Sequence, residues 1–170
     1  MHWTDKHVLC CTASHCAQKG ANDVVMQLRR EVLRRGLDNR IFINTCGTID
    51  LCDIGPNIVV YPDGVIYAGV TPKDVKELVD ALAAGETVER LVLGPETAAE
   101  RARRALYAAA TDPEPTRPAA DFEGLVSKHG FDTAWLTEQA RRGFIARKPG
   151  AEGGPETITV TKKARDRYRV

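Results

Sequence analysis

Five cysteines carry the reactive chemistry of this 170-residue chain: Cys10, Cys11, Cys16, Cys46 and Cys52. No cysteine follows position 52. A disulfide framework spreads its bridges through a small secreted protein, so thiols confined to one segment read as a metal or redox site. The pattern is C-x4-C (Cys11, Cys16), then 29 residues, then C-x5-C (Cys46, Cys52). Thiolates are soft ligands. Four of them suit one tetrahedral metal ion such as zinc, or a two-iron cluster with two cysteines per iron. Both pairs are wider than the C-x2-C of zinc ribbons, and wider loops favour centres that sit apart. Neighbours on a strand face opposite ways, so Cys10 and Cys11 do not serve the same iron. Cys10 reads as a small buried strand residue, with an alternative ligand or a redox-sensitive thiol as its rival. His15, beside Cys16, reads as an exposed loop residue.

Placing these thiols together requires particular elements. His7-Val8-Leu9-Cys10 is a short apolar run that suits a strand. Ala21, Val24, Val25, Leu28, Val32 and Leu33 recur at helical spacing over 21–35, and Gly36 suits the helix stop. Arg40 to Asn44 forms a second strand, followed by a loop over 45–56 that carries Cys46 and Cys52. A strand–helix–strand crossover makes the two strands parallel, so both post-strand loops emerge at one sheet edge. Ile58-Val59-Val60-Tyr61 and Val65-Ile66-Tyr67, joined by Pro62-Asp63-Gly64, form a hairpin. Thr71-Pro72 opens a further helix through Val75, Leu78, Val79 and Leu82. This order fits an α/β domain.

The residues also carry a resemblance. His7 to Ala21, then Cys46, then Cys52-Asp53-Ile54-Gly55-Pro56-Asn57-Ile58-Val59-Val60-Tyr61-Pro62-Asp63-Gly64 and Gly69-Val70-Thr71-Pro72 resemble the thioredoxin-like [2Fe-2S] ferredoxin family. The cluster-bearing thioredoxin-like subunit of respiratory complex I is similar. The likeness spans about residues 5–92. It implies a thioredoxin-like domain, a [2Fe-2S] cluster ligated by Cys11, Cys16, Cys46 and Cys52, and a low-potential one-electron carrier. It further implies a homodimer that serves a redox partner protein. The family's second pair is usually C-x3-C, so Gly47-Thr48-Ile49-Asp50-Leu51 makes this loop longer. Asp50 and Asp53 flank the last cysteine, either as solvated charges or as a lip that meets a basic partner.

Residues 95–110 are Ala- and Arg-rich and predict a helix, and 112–118 holds three prolines and reads as a linker. The expected division is therefore a cluster domain over 1–93, a helix and linker over 94–118, and a small basic α+β module over 119–170. Within that module, Trp135 to Arg147, a Gly-rich loop and Ile158 to Arg165 resemble the helix, wing and strand of a winged-helix module. Residues 141–170 hold nine basic and three acidic side chains, so a redox-sensing regulator that binds nucleic acid is the alternative function. Formal net charge is +1, yet residues 1–93 carry 10 basic and 12 acidic groups against 14 and 11 in 94–170. No apolar run suits a membrane span and no secretory signal is evident, so a cytoplasmic protein is expected. No nucleophile–base pair or phosphate-binding loop points to an enzyme.

Overall fold

The computed structural model describes residues 4–51, 53–150 and 153–170. The chain divides into two compact units, Met1–Gly94 and Pro95–Val170. The first contains β1 (Lys6–Cys11), α1 (Ser14–Gln18), α2 (Ala21–Arg34), β2 (Ile41–Cys46), β3 (Asn57–Tyr61), β4 (Val65–Ala68) and α3 (Val75–Ala84). Its sheet runs β2-β1-β3-β4. β1 and β2 are parallel, and β3 is antiparallel to both β1 and β4.

Strand alternation explains the core. Val8 and Cys10 of β1, Ile41 and Ile43 of β2, and Ile58 and Val60 of β3 share one face. Against that face pack Val24, Leu28 and Val32 of α2 and Leu78, Val79 and Leu82 of α3. Each such aliphatic side chain contributes roughly 1.5–3 kcal/mol relative to exposure. α2 ends where Gly36 turns left-handed at φ 64° and Leu37 N–H donates to the Val32 carbonyl at 3.0 Å. That cap turns the chain straight back into β2, which explains how a short crossover delivers a parallel neighbour. α3 is entered through a short 3-10 turn, Pro72–Asp74. There the Asp74 carboxylate accepts from both the backbone N–H and the hydroxyl of Thr71, each at 2.7 Å.

Several boundaries differ from the sequence expectation. β1 extends to Cys11 and β2 to Cys46, because backbone pairing continues to the Cys11–Cys46 register partners. Those two thiols therefore stand on strand ends rather than in loops. Cys16 lies in α1. Leu33 is 68% exposed although its spacing joined it to the buried stripe, because Val32 already fills that turn of α2.

The second unit contains α4 (Ala98–Thr111), β5 (Thr116–Pro118), α5 (Ala119–Lys128), α6 (Thr133–Arg141), β6 (Ile145–Lys148), β7 (Thr157–Val160) and α7 (Lys162–Tyr168). Its antiparallel sheet runs β5-β7-β6. α6 and the β6–β7 hairpin fall where the sequence suggested a helix and a wing, but the stretch read as strand, 158–165, is strand only to Val160 and becomes α7 from Lys162, and α4 adds a further helix. Leu106, Tyr107 and Ala110 bring α4 into the same core as Phe122, Phe144, Ile158 and Tyr168. The proline-rich stretch includes an edge strand. Thr116–Pro118 pairs with β7, and Arg117 donates to the carbonyls of Ala109 and Asp112 at 3.0 and 3.2 Å. An edge tolerates proline because one side of the strand needs no ladder donor. Among the described residues no helix is long and apolar enough to cross a membrane.

Candidate metal centre

The parallel register of β1 and β2 sets Cys11 directly beside Cys46 at the carboxyl ends of both strands. The chain leaving β1 stays pinned to β2, since Thr12 donates its N–H and its hydroxyl to the Cys46 carbonyl at 3.0 and 3.1 Å. α1 follows at once and brings Cys16, fully buried, beside Cys11 and Ala21. Cys46, Ala13 and Ile49 pack around that group. Three of the four expected cysteines thus converge at one corner of the sheet. The fourth, Cys52, lies outside the described residues. Among the described residues no three His, Cys, Asp or Glu side chains close on a single metal point.

Cys10 points elsewhere. It is buried in the main core between the sheet and α2, the opposite face from Cys11. Burial first, and the Cys46 thiol second, push the Cys10 thiol up to about 12 despite the nearby Arg29 guanidinium. Such a thiol stays protonated at neutral pH, and its place in the main core keeps it apart from the corner thiols. Burial also holds the Cys46 thiol above its ordinary value, with Cys11 adding to the shift. No disulfide joins the described cysteines Cys10, Cys11, Cys16 and Cys46.

The segment that follows Cys52 forms the back wall. Asp53, Ile54, Gly55, Pro56 and Asn57 are all buried. Gly55 is required by close approach: a Cβ there would lie 2.5 Å from the Cys16 sulfur. Asn57 donates from Nδ2 to the Leu51 carbonyl at 2.6 Å, while its buried Oδ1 has no hydrogen-bond partner among the described residues. A glycine cradle against a thiol, buried sulfurs and soft donors fit a metal–sulfur cluster.

Other expectations fare unevenly. Asp53 is 8% exposed, so it is not a solvated loop charge, whereas Asp50 is exposed. His15 is helical and half-buried rather than on an exposed loop, because α1 folds over the corner. In the second unit, Arg141 and Arg142 bind Glu138, and Arg147 binds Glu123 and Glu156. These cations of the expected basic surface are committed to neighbouring carboxylates. Sequence reasoning missed the structural parts played by Gly55 and Asn57. A polar amide opening an otherwise apolar strand, Asn57-Ile58-Val59-Val60, was the available signal.

Fold and corner together define the class: a thioredoxin-like domain with a cysteine-lined site at one sheet end. The comparisons agree. The chain is 34% identical over 94 residues to a 2Fe-2S ferredoxin of Clostridium pasteurianum, covering 50% of this chain and 92% of that protein. It is 38% identical over 101 residues to a 2Fe-2S ferredoxin of Aquifex aeolicus, covering 52% and 88%. The crystal structure of the thioredoxin-like [2Fe-2S] ferredoxin from Aquifex aeolicus superposes with a TM-score of 0.51 at 37% identity. That match covers 54% of this chain and 98% of the other. No family model matches the chain. By these relatives, the chain belongs to the thioredoxin-like [2Fe-2S] ferredoxin family. Proteins of this family are electron carriers rather than enzymes.

Proposed function

We propose that the chain is a one-electron carrier whose [2Fe-2S] cluster is ligated by Cys11, Cys16, Cys46 and Cys52. The observation that carries this reading is the convergence of Cys11, Cys16 and Cys46 at the carboxyl ends of two parallel strands. The cluster, when bound, supplies a site that gains and loses a single electron. The protein's own contribution is positional. Parallel pairing holds Cys11 and Cys46 side by side, α1 lowers Cys16 onto them, and Gly55 leaves room for the Cys16 sulfur. The buried back wall, Asp53 to Asn57, limits water on one side. Asp50 stays exposed next to the ligand loop and offers a carboxylate to a basic redox partner protein. Thiols at this density, with no disulfide among the described ones, suit a reducing compartment such as the cytoplasm.

The test is anaerobic purification followed by visible absorption and by iron and sulfide counts. Two irons and two sulfides per chain, bleached by a one-electron reductant, are expected. A colourless protein holding one zinc ion would overturn the proposal.

A further inference from the structure

The Cys46–Cys52 segment spans five intervening residues, Gly47 to Leu51. Of these, Gly47, Thr48 and Asp50 are exposed. Its internal tie is short-range: Asp50 N–H donates to the Thr48 hydroxyl at 2.8 Å. Beyond the packing of Ile49 at the corner, the segment is fastened by hydrogen bonds at the Leu51 carbonyl. That carbonyl accepts from Ile54 N–H at 3.3 Å and from Asn57 Nδ2 at 2.6 Å. The second bond is the shorter, and it comes from the first residue of β3, a strand held on both sides by β1 and β4.

Asn57 is an unusual residue for its place. Ile58, next in the strand, faces the helices, so the Asn57 side chain lies on the opposite face, and yet it is 1% exposed. Its Oδ1 is buried without a partner among the described residues. An apolar residue would fill the same space without stranding an acceptor, so the amide lowers stability where it stands. What it gains is the Leu51 bond. The amide also adjoins the thiol corner. A Cβ built on Gly55 would meet the Cys16 sulfur at 2.5 Å and Asn57 Nδ2 at 3.6 Å, so sulfur, glycine and amide form one continuous packing.

We infer that Asn57 is a positioning residue for the last cluster ligand. Its amide clamps the carbonyl directly before Cys52 to the rigid start of β3. The clamp fixes the chain one residue before the last expected ligand. The inference rests on the ligation proposed above and adds a residue outside the cysteine set. Supporting partners of metal ligands of this kind change metal affinity by about 10–100-fold when removed.

The experiment uses the full chain, loaded anaerobically, as wild type, Asn57→Asp and Asn57→Leu. Asn57→Asp keeps the size but replaces the donor with an acceptor facing a carbonyl. Asn57→Leu removes hydrogen bonding and the stranded acceptor together. Both variants are expected to fold by far-UV circular dichroism and to lose iron to a chelator about tenfold faster than wild type. Their reduced clusters are expected to show displaced electron paramagnetic resonance g values, which a change in global stability alone would not produce. If Asn57→Leu does not fold, Asn57→Asp decides. Unchanged g values with iron release within about twofold of wild type would overturn the inference, even if urea stability changed. A wild type without iron and sulfide would instead overturn the ligation reading beneath it.

Discussion

The first unit fills its core with aliphatic side chains, Val8, Val24, Leu28, Val60, Leu78 and Leu82, with Tyr67 as its buried aromatic. The second packs rings: Tyr107, Phe122, Phe144 and Tyr168, with Tyr107 and Tyr168 stacked at 4.8 Å. The buried polar groups differ in the same sense. In the second unit the Tyr107 hydroxyl donates to Gln139 at 3.1 Å, and Glu100 is bridged by Arg103 and Arg167 at 3.1 and 2.5 Å. The first unit buries sulfurs at the end of its sheet and strands the Asn57 acceptor behind them. Among the described residues each unit leaves buried polar atoms without a hydrogen-bond partner, Asn57 Oδ1 in the first and Arg117 Nε and Arg142 Nη1 in the second. What separates the units is sulfur: the buried thiols sit in the first, and the chemistry of this chain belongs there.

That contrast can be broken most decisively at the sulfurs. Cys16→Ser is expected to abolish the visible absorption, and Gly55→Ala to reduce iron content sharply, because the new methyl meets the Cys16 sulfur. Cys10→Ala should retain the chromophore, since Cys10 belongs to the main core and not to the corner. Loss of colour in Cys10→Ala would redraw the ligand set. Phe144→Ala comes next. It is expected to lower the stability of the second unit by about 3–5 kcal/mol, read by hydrogen exchange across 95–170, while the visible spectrum persists. A bleached Phe144→Ala protein would show that the two units do not divide the work as described.

A smaller effect concerns acid. The Arg141 guanidinium, opposed by burial and helped by Arg142, holds the Glu138 carboxyl down at about 2. Since the ordinary glutamate value is about 4.3, this pair supports the fold above that pH, and the support fades as pH falls towards 2. Urea midpoints should therefore drop between about pH 5 and 3, and Glu138→Gln should flatten the part due to this pair. Solvent screening keeps that part near 1 kcal/mol or less, roughly the scale of an exposed ion pair. The smallest expected change is a gain. Gly124 sits inside α5 with open space around it, so Gly124→Ala should stabilise the second unit by about 0.5–1 kcal/mol. The two glycine replacements then give opposite signs for a stated geometric reason.

Much of the first unit was legible from residue pattern. Crossover logic anticipated the parallel β1–β2 pair, and helical spacing placed α2 within a residue of its observed end. The convergence of Cys11, Cys16 and Cys46 followed from chain order alone. What pattern could not supply was the third dimension of the back wall. Nothing in Asp53 or Asn57 as letters reveals that they are buried, because both types ordinarily prefer turns and solvent. The same blindness affected Thr116–Pro118. Three prolines within 112–118 suggested a linker, but pairing with β7 is a long-range event that local composition does not encode. Likewise, the Ala-rich α4 carries only Leu106, Tyr107 and Ala110 as its fully buried apolar contribution, too sparse a stripe to announce a core element.

The parallel pairing of β1 with β2 also has a meaning in time. Cys11 and Cys16 leave the ribosome well before Cys46 and Cys52, with all of α2 made in between. At about 5–20 residues per second the first two thiols spend seconds without their partners. They cannot be brought beside Cys46 until β2 has been synthesised and has docked against β1. On the ligation proposed above, the nascent chain cannot complete its metal pocket early, and the pocket closes only with tertiary structure.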